Sequence, residues 1–301
     1  MSTPTKVLVF FLIACAAVWG QANTAQINGN VRDASGLAVS DATVVATQTS
    51  TGATRNATSS ADGSFILPDL PIGPYTLGIS KPGFAKYVQN GIVLQVDSNP
   101  TIDASLKVGS VNEQVTVQAD AAMVETHSSG IGNVIDNQRV VELPLNGRDP
   151  TQLIFLSGLA TPGTVPQLRN FPAASVSIAG GQGNGVSYLL DGAQQNDVAS
   201  SLNLPLPFPD ALQEFKVETS ALPAQYGFHS AGAVNALTKS GTNSFHGDLF
   251  EFIRNGDFNA RNFFAVSRDT LKQNQWGGTI GGPVLKNKLF FWLSARIGKT
   301  S

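Results

Sequence analysis

The chain has 301 residues, a net charge of −2 and only 13% charged side chains. It carries no basic stripe for a nucleic-acid backbone, and its length allows two or three domains. Thirty glycines and 16 prolines, with few amphipathic helical runs, predict a mainly β chain of short strands between turn residues.

Residues 1–22 have the pattern of a secretory signal peptide. Lys6 supplies the positive start, and Val7 to Val18 is an apolar run too short to span a bilayer. Gly20-Gln21-Ala22 places small residues for cleavage near Ala22, with Ala25 as a second option. Leu12-Ile13-Ala14-Cys15 also fits a lipobox, which makes Cys15 a lipid anchor; against it, the apolar run continues past Cys15 through Trp19. Cys15 is the only cysteine. A chain cut after Ala22 therefore has no disulfide and no thiol chemistry.

Residues 23–110 read as one domain. Ile27 to Val31 opens a strand, Arg32 to Gly36 turns, and Ala42 to Thr47 is the next strand, with Val44 and Ala46 on one face. Thr51-Gly52 turns the chain, and Ala53 to Thr58 returns as a hairpin partner. Asp62-Gly63 is a tight turn in which glycine takes a positive φ at no steric cost. Phe65 and Leu67 alternate inward, Gly73-Pro74 turns again, and Tyr75 to Ile79 runs back. Turns every eight to twelve residues between alternating strands predict a β-sandwich. The run G-x-V-x-D-x-x-G, followed by DGSFxLxxLPxGxYxL, resembles the carboxypeptidase regulatory-like domain, a transthyretin-type sandwich. The resemblance implies a module that sits beside a catalytic unit or a transporter and is not itself catalytic.

Residues 111–124 form a linker that contains the extended segment VNEQVTV. Residues 125–240 alternate short strands with turns. Ile131 to Ile135 is a strand, and Asp136 to Pro144 is a one- to two-turn helix stopped by proline. Leu145 to Pro150 turns, and Thr151 to Ser157 is an apolar helical stretch. Ser175 to Ala179 alternates, Gly180 to Gly185 turns, and Val186 to Leu190 is a strand ending at Asp191-Gly192. A proline-rich loop follows that cannot be a central strand. Pro209-Asp210 starts a helical turn, and Phe215 to Thr219 and Gly232 to Thr238 are strands.

Residues 241–301 change texture. Phe245 to Arg254, Gln275 to Gly282 and Leu289 to Arg296 are long, aromatic-rich segments of period two. A polar loop from Asn255 to Lys272 joins the first two, and Lys286-Asn287 is a tight turn between the others. This pattern suits transmembrane β-strands. Three strands cannot close a barrel, and open edges are not tolerated in lipid. The sequence is accordingly expected to be a piece of a longer protein.

Three features carry a second resemblance: Leu190-Asp191-Gly192 closing a strand, the Ala211-to-Val217 strand after a proline-rich loop, and Tyr226-Gly227 before a small-residue strand ending at Lys239-Ser240-Gly241. In this order they resemble the plug domain of TonB-dependent outer-membrane receptors. The run LPLNGR resembles the opening of the plug in the Oar-like subset. The fold so implied is mainly β: a transthyretin-like sandwich, an α+β plug, then the first strands of an incomplete outer-membrane barrel. The resemblance further implies energy-coupled import of a scarce small ligand of the siderophore, cobalamin or glycan class. It implies an outer-membrane location, with the sandwich in the periplasm and lipid around the barrel strands. It implies a TonB-type partner, which could pair by β-augmentation with Glu113, Gln114, Val115, Thr116 and Val117. The same segment also fits a last sandwich strand or a plain linker.

No enzyme signature competes. His127, His229 and His246 show no i, i+3 or i, i+4 spacing and no HExxH, so no metal site and no peptidase chemistry are expected. The 180–185 glycines miss the dinucleotide spacing, and no GxSxG elbow surrounds Ser64, Ser157 or Ser187. Asp62, Asp69, Asp191 and Asp197 read as turn aspartates rather than calcium ligands. No cofactor is expected. The alternative function is a cell-surface binding or adhesion protein that reuses the sandwich without transport. The discriminating observation is whether alternating strands continue in the gene beyond Ser301.

Overall fold

A computed structural model describes residues 24–109, 114–118, 130–163, 175–222, 226, 229–261, 263–268 and 270–300. The signal segment with Ala22 and Cys15, and also Glu113, His127 and Gly227, lie outside the described residues.

The first unit is a β-sandwich. One sheet has the order β4-β1-β7, from β1 (Thr24–Asp33), β4 (Ser64–Pro71) and β7 (Thr101–Leu106). The other runs β3-β2-β5-β6-β8, from β2 (Thr43–Gln48), β3 (Thr54–Thr58), β5 (Gly73–Ser80), β6 (Lys86–Leu94) and β8 (Gln114–Gln118). Inward residues recur with period two: Val44, Ala46 and Gln48 on β2, and Tyr75, Leu77 and Ile79 on β5. Apart from Gln48, whose buried amide donates to the Ile72 carbonyl, they join Ile27, Val31, Phe65, Leu67, Ile92 and Leu106 in one closed apolar core. Burial of each large aliphatic side chain contributes on the order of 1.5–3 kcal/mol.

The turns follow from composition. Gly63 has a φ of 81°, and a Cβ there would lie 2.5 Å from the Val31 carbonyl. A bulge between Leu67 and Leu70 puts Asp69 at a φ of 55°. The structure departs from the sequence reading at Gly73-Pro74, which read as a turn and lies in β5. β4 and β5 do not pair as a hairpin; the chain crosses at Ile72 from one sheet to the other. Two parallel pairings also escaped the sequence, β1 with β7 and β6 with β8.

The central unit is a five-stranded sheet of order β13-β12-β15-β14-β9. Its strands are β9 (Ile131–Asp136), β12 (Val186–Leu190), β13 (Ala193–Gln194), β14 (Leu212–Ser220) and β15 (Gly232–Thr238). Helix α1 (Asn137–Glu142) is capped by the Asp136 carboxylate, which accepts from the Arg139 N–H. The apolar stretch Pro150–Ser157 is a 3-10 segment. A small sheet of β10 (Ala160–Pro162) and β11 (Val176–Ile178) completes the unit. One face of β14 turns Phe215 and Val217 into a second apolar core with Ile135, Val140, Leu153, Ile178, Tyr188 and Val234. The other face carries Glu214, Lys216 and Glu218, all buried.

The third unit is an antiparallel sheet of β16 (His246–Asn255), β17 (Lys272–Leu285) and β18 (Leu289–Thr300). Cross-strand register splits it into two faces. Leu249, Trp276, Ile280, Leu293 and Ile297 share one face and are exposed. Asp248, Phe250, Phe252, Gln275, Thr279, Trp292 and Arg296 share the other, which contacts the central unit. An exposed apolar face opposite a polar and aromatic one is the arrangement of a lipid-facing barrel wall.

Candidate functional site

The central unit is held on two sides, and those two seams are where its chemistry lies. The first seam is with the third unit. Leu145 to Asp149 forms a tight turn in which Gly147 and Arg148 take φ values of 68° and 57°. That backbone aims the Arg148 guanidinium at the Asp210 carboxylate, 2.6 Å away, with both side chains almost wholly buried. The same guanidinium lies 3.8 Å over the Phe252 ring and 5.8 Å from Phe250. A desolvated cation on an aromatic face is attracted by the ring quadrupole. Phe208, two residues before Asp210, packs against Phe250 at 5.6 Å.

The turn is also bonded directly to the wall. The Gln275 amide donates to the Gly147 carbonyl at 3.1 Å, and the Arg254 guanidinium donates to Asn146. Lys239 pairs with Asp248 at 3.6 Å. Between turn and wall lies a cavity of about 340 Å³ lined by Pro144 to Arg148, Phe252 to Arg254, Gln273 and Gln275. Arg148 Nε and Gln275 Oε1 are buried there without a hydrogen-bond partner.

The second seam is with the sandwich. Glu214 accepts the Val96 N–H at 2.8 Å, and the Lys216 ammonium donates to the Val96 carbonyl at 3.3 Å. Lys216 also pairs with Glu218 at 2.8 Å. Burial pushes the Glu214 carboxyl up to about 7; the Val96 N–H and Lys216 pull it down, and Asp97 pushes it up again.

Of the residues singled out in the sequence, Gln114, Val115, Thr116 and Val117 lie in β8, the end strand of the five-stranded sandwich sheet. Among the described residues β8 pairs with β6 alone. Val117 packs against the sandwich core, while Gln114, Thr116 and Gln118 are exposed. Ala25 is buried within β1 and paired with Leu70, so a cut after it would shorten that strand. Among the described residues no group of three or more His, Cys, Asp or Glu side chains could hold a metal ion.

Sequence reasoning missed Arg148, Asp210 and the Glu214-Lys216 pair. For the last a signal existed: Glu214, Lys216 and Glu218 recur with period two between Phe215 and Val217. The same alternation fits a half-buried strand whose charged face meets water, so by itself it does not show that the charged face is covered.

Residues 26–107 match the carboxypeptidase regulatory-like domain, and residues 237–299 match an outer membrane beta barrel domain. The chain is 28% identical over 296 residues to the TonB-dependent transporter Oar of Myxococcus xanthus, covering 93% of this chain and 28% of that protein. It therefore spans little more than a quarter of that relative's length. Among solved structures it is similar to the siderophore receptor PirA from Acinetobacter baumannii, at 20% identity and a TM-score of 0.43, covering 56% of this chain and 24% of that one. It is similar in the same way to a ferric enterobactin receptor, PfeA, from Pseudomonas aeruginosa, at 16% identity and a TM-score of 0.43, again over 56% of this chain and 24% of that one. Those two likenesses are too distant to bear on function. By these sequence matches the chain is similar to a TonB-dependent transporter and carries an outer membrane beta barrel match, and its place is the outer membrane.

Proposed function

We propose that this chain takes part in the energy-coupled import of a scarce small ligand, of the siderophore, cobalamin or glycan class, through the outer membrane. The central unit is the plug, the third unit is barrel wall, and the sandwich lies on the periplasmic side. The observation that supports this reading most is the first seam. A folded unit with its own closed core meets the inner face of a barrel-type sheet through an ion pair, amide bonds and a cation on an aromatic ring. Such contacts hold a body in place without fusing its core to the wall. The relative it resembles is a transporter, and the proposed role includes no catalysis. The energy input enters through a TonB-type partner that adds a strand to the free edge of β8, with residues 113–117 as its site.

The test has two arms. The product of the complete gene is expected in the outer-membrane fraction. It is also expected to bind the periplasmic domain of the cell's own TonB-type protein. Replacing residues 114–118 by a glycine-serine run abolishes that binding while leaving the protein in the membrane. Binding that survives the replacement removes β8 from the mechanism. A product found outside the outer membrane overturns the receptor role itself.

A further inference from the structure

The sandwich touches both of its neighbours. Its β6–β7 loop seats Val96 against β14, and the backbone of that one residue is gripped at both its N–H and its carbonyl. Glu214 accepts the Val96 N–H at 2.8 Å, and Lys216 donates to the Val96 carbonyl at 3.3 Å. The next residue, Asp97, is held at a φ of 55°. Its carboxylate accepts the Tyr226 hydroxyl at 2.6 Å and lies 3.9 Å from Lys216. The β2–β3 turn makes the other contact. The Asn243 N–H donates to the Ser50 carbonyl at 2.9 Å. Asn243 in turn is bonded to Asn287, in the tight turn between β17 and β18, at 2.7 and 2.8 Å. A Cβ built on Gly52 would lie 3.7 Å from the Asn287 Cβ.

We propose that the sandwich is a brace across the junction of plug and barrel wall, and that the brace loosens when Glu214 ionises. The proposal rests on the plug reading of the central unit. The charged groups around Glu214 explain the proton dependence. Its own strand supplies Lys216 and, beyond it, Glu218; the sandwich loop supplies Asp97, which also carries the Tyr226 phenol. β9 supplies Asp136, opposite Glu214 in register, whose carboxylate is engaged by the Arg139 N–H. One ammonium therefore serves three carboxylates at this contact, and it sits closest to Glu218. A neutral Glu214 still accepts the Val96 N–H. An ionised one adds a buried negative charge that Lys216 is not free to neutralise.

The sign follows from linkage. Burial raises the Glu214 carboxyl from 4.5 to about 7 in the docked state. The contribution of Glu214 to docking is therefore fully present below the exposed value and is lost as pH rises through about 7. The experiment uses the product of the complete gene in outer membranes. Hydrogen exchange of the 95–98 loop is read as a protection factor, which divides out the amide's own pH dependence. Between about pH 5.5 and about pH 8 it is expected to fall more than tenfold. In Glu214→Gln, which keeps the acceptor and cannot ionise, it is expected to stay flat. A flat wild-type profile, or a fall that persists in the Gln variant, overturns the proton dependence. The wall contact is tested by Gly52→Cys with Asn287→Cys, whose Cβ separation suits a disulfide, formed under mild oxidation. Because Gly52 has a φ of 77°, exchange at the Asn243 amide gives a second readout. No cross-link together with unprotected exchange at Asn243 overturns the brace. A protein that is in the outer membrane yet fails both readings sinks the brace alone; one that is not in the membrane sinks the receptor reading.

Discussion

Arg148→Met isolates the ion pair at the first seam. Methionine keeps most of the side-chain volume against Phe252 and, like arginine, carries a Cβ at a φ of 57°, so backbone strain cancels in the comparison. What is lost is the cation 2.6 Å from Asp210, a residue only 4% exposed. Removing one partner of a buried pair costs about 3–5 kcal/mol, chiefly because the other charge is left without compensation. At about 1.4 kcal/mol per decade, that raises opening of the central unit by roughly two to four decades. The assay is native-state hydrogen exchange at Val140, Ile154 and Phe215, all wholly buried, on the protein in detergent micelles. The double variant Arg148→Met/Asp210→Leu should regain most of the loss, because two apolar groups replace a desolvated pair. A single variant that loses less than about 1 kcal/mol refutes the argument that the pair is desolvated. So does a double variant as labile as the single one.

Three further outcomes follow from local geometry. Leu77→Ala, at a wholly buried position of the sandwich core, should cost about 2–5 kcal/mol in urea unfolding monitored by circular dichroism. Gly281→Val should impair assembly of the third sheet, since a Cβ there would enter the Trp292 ring; heat-modifiable gel mobility of the full-length protein reads this, and an unchanged shift would show that the ring can move aside. Asp62, bonded by Ser60 and Ser64, should titrate at about 2 instead of 3.8 in carboxyl-resolved NMR. Its folded value is depressed, so its contribution to the turn is present above 3.8 and fades as pH falls through about 2.

Many strands were legible because the character of their side chains alternates from face to face. Val44 and Ala46, Phe65 and Leu67, and Leu289 to Arg296 declare their faces by alternation alone. Turns were legible where the backbone demands special residues, as at Asp62-Gly63 and Lys286-Asn287. What alternation cannot carry is which strand lies next to which. Gly73-Pro74 reads as a turn after which the chain runs back, yet the chain crosses between sheets just before it, since both outcomes bury the same side chains. Long-range polar contacts were illegible for a different reason. Arg148 and Asp210 lie 62 residues apart, and Val96 and Glu214 lie 118 apart. Each reads locally as an ordinary loop or strand residue. Only the fold brings them together.

The division between apolar and polar contacts also separates what folds from what can part. The sandwich and the central unit each close an apolar core of their own, and neither core cluster takes a residue from the other. The seams between units are made instead of an ion pair, amide bonds, a cation on an aromatic ring, tilted rings and the gripped backbone of Val96. Parting a core exposes hydrocarbon to water, at roughly 25 cal/mol per Å². Parting a polar seam exchanges protein hydrogen bonds for water's, a net loss of about 0.5–1.5 kcal/mol for each neutral bond and about 1.5–3 kcal/mol for each bond to a charged group. A pull on the sandwich would therefore break the seams before either core. Two of the seam bonds, Val96 to Glu214 and Lys216 to Val96, run straight from the sandwich to β14. β14 has β15 on one side and β9 on the other, so a load arriving there reaches the body of the central sheet without passing through residues 109–130.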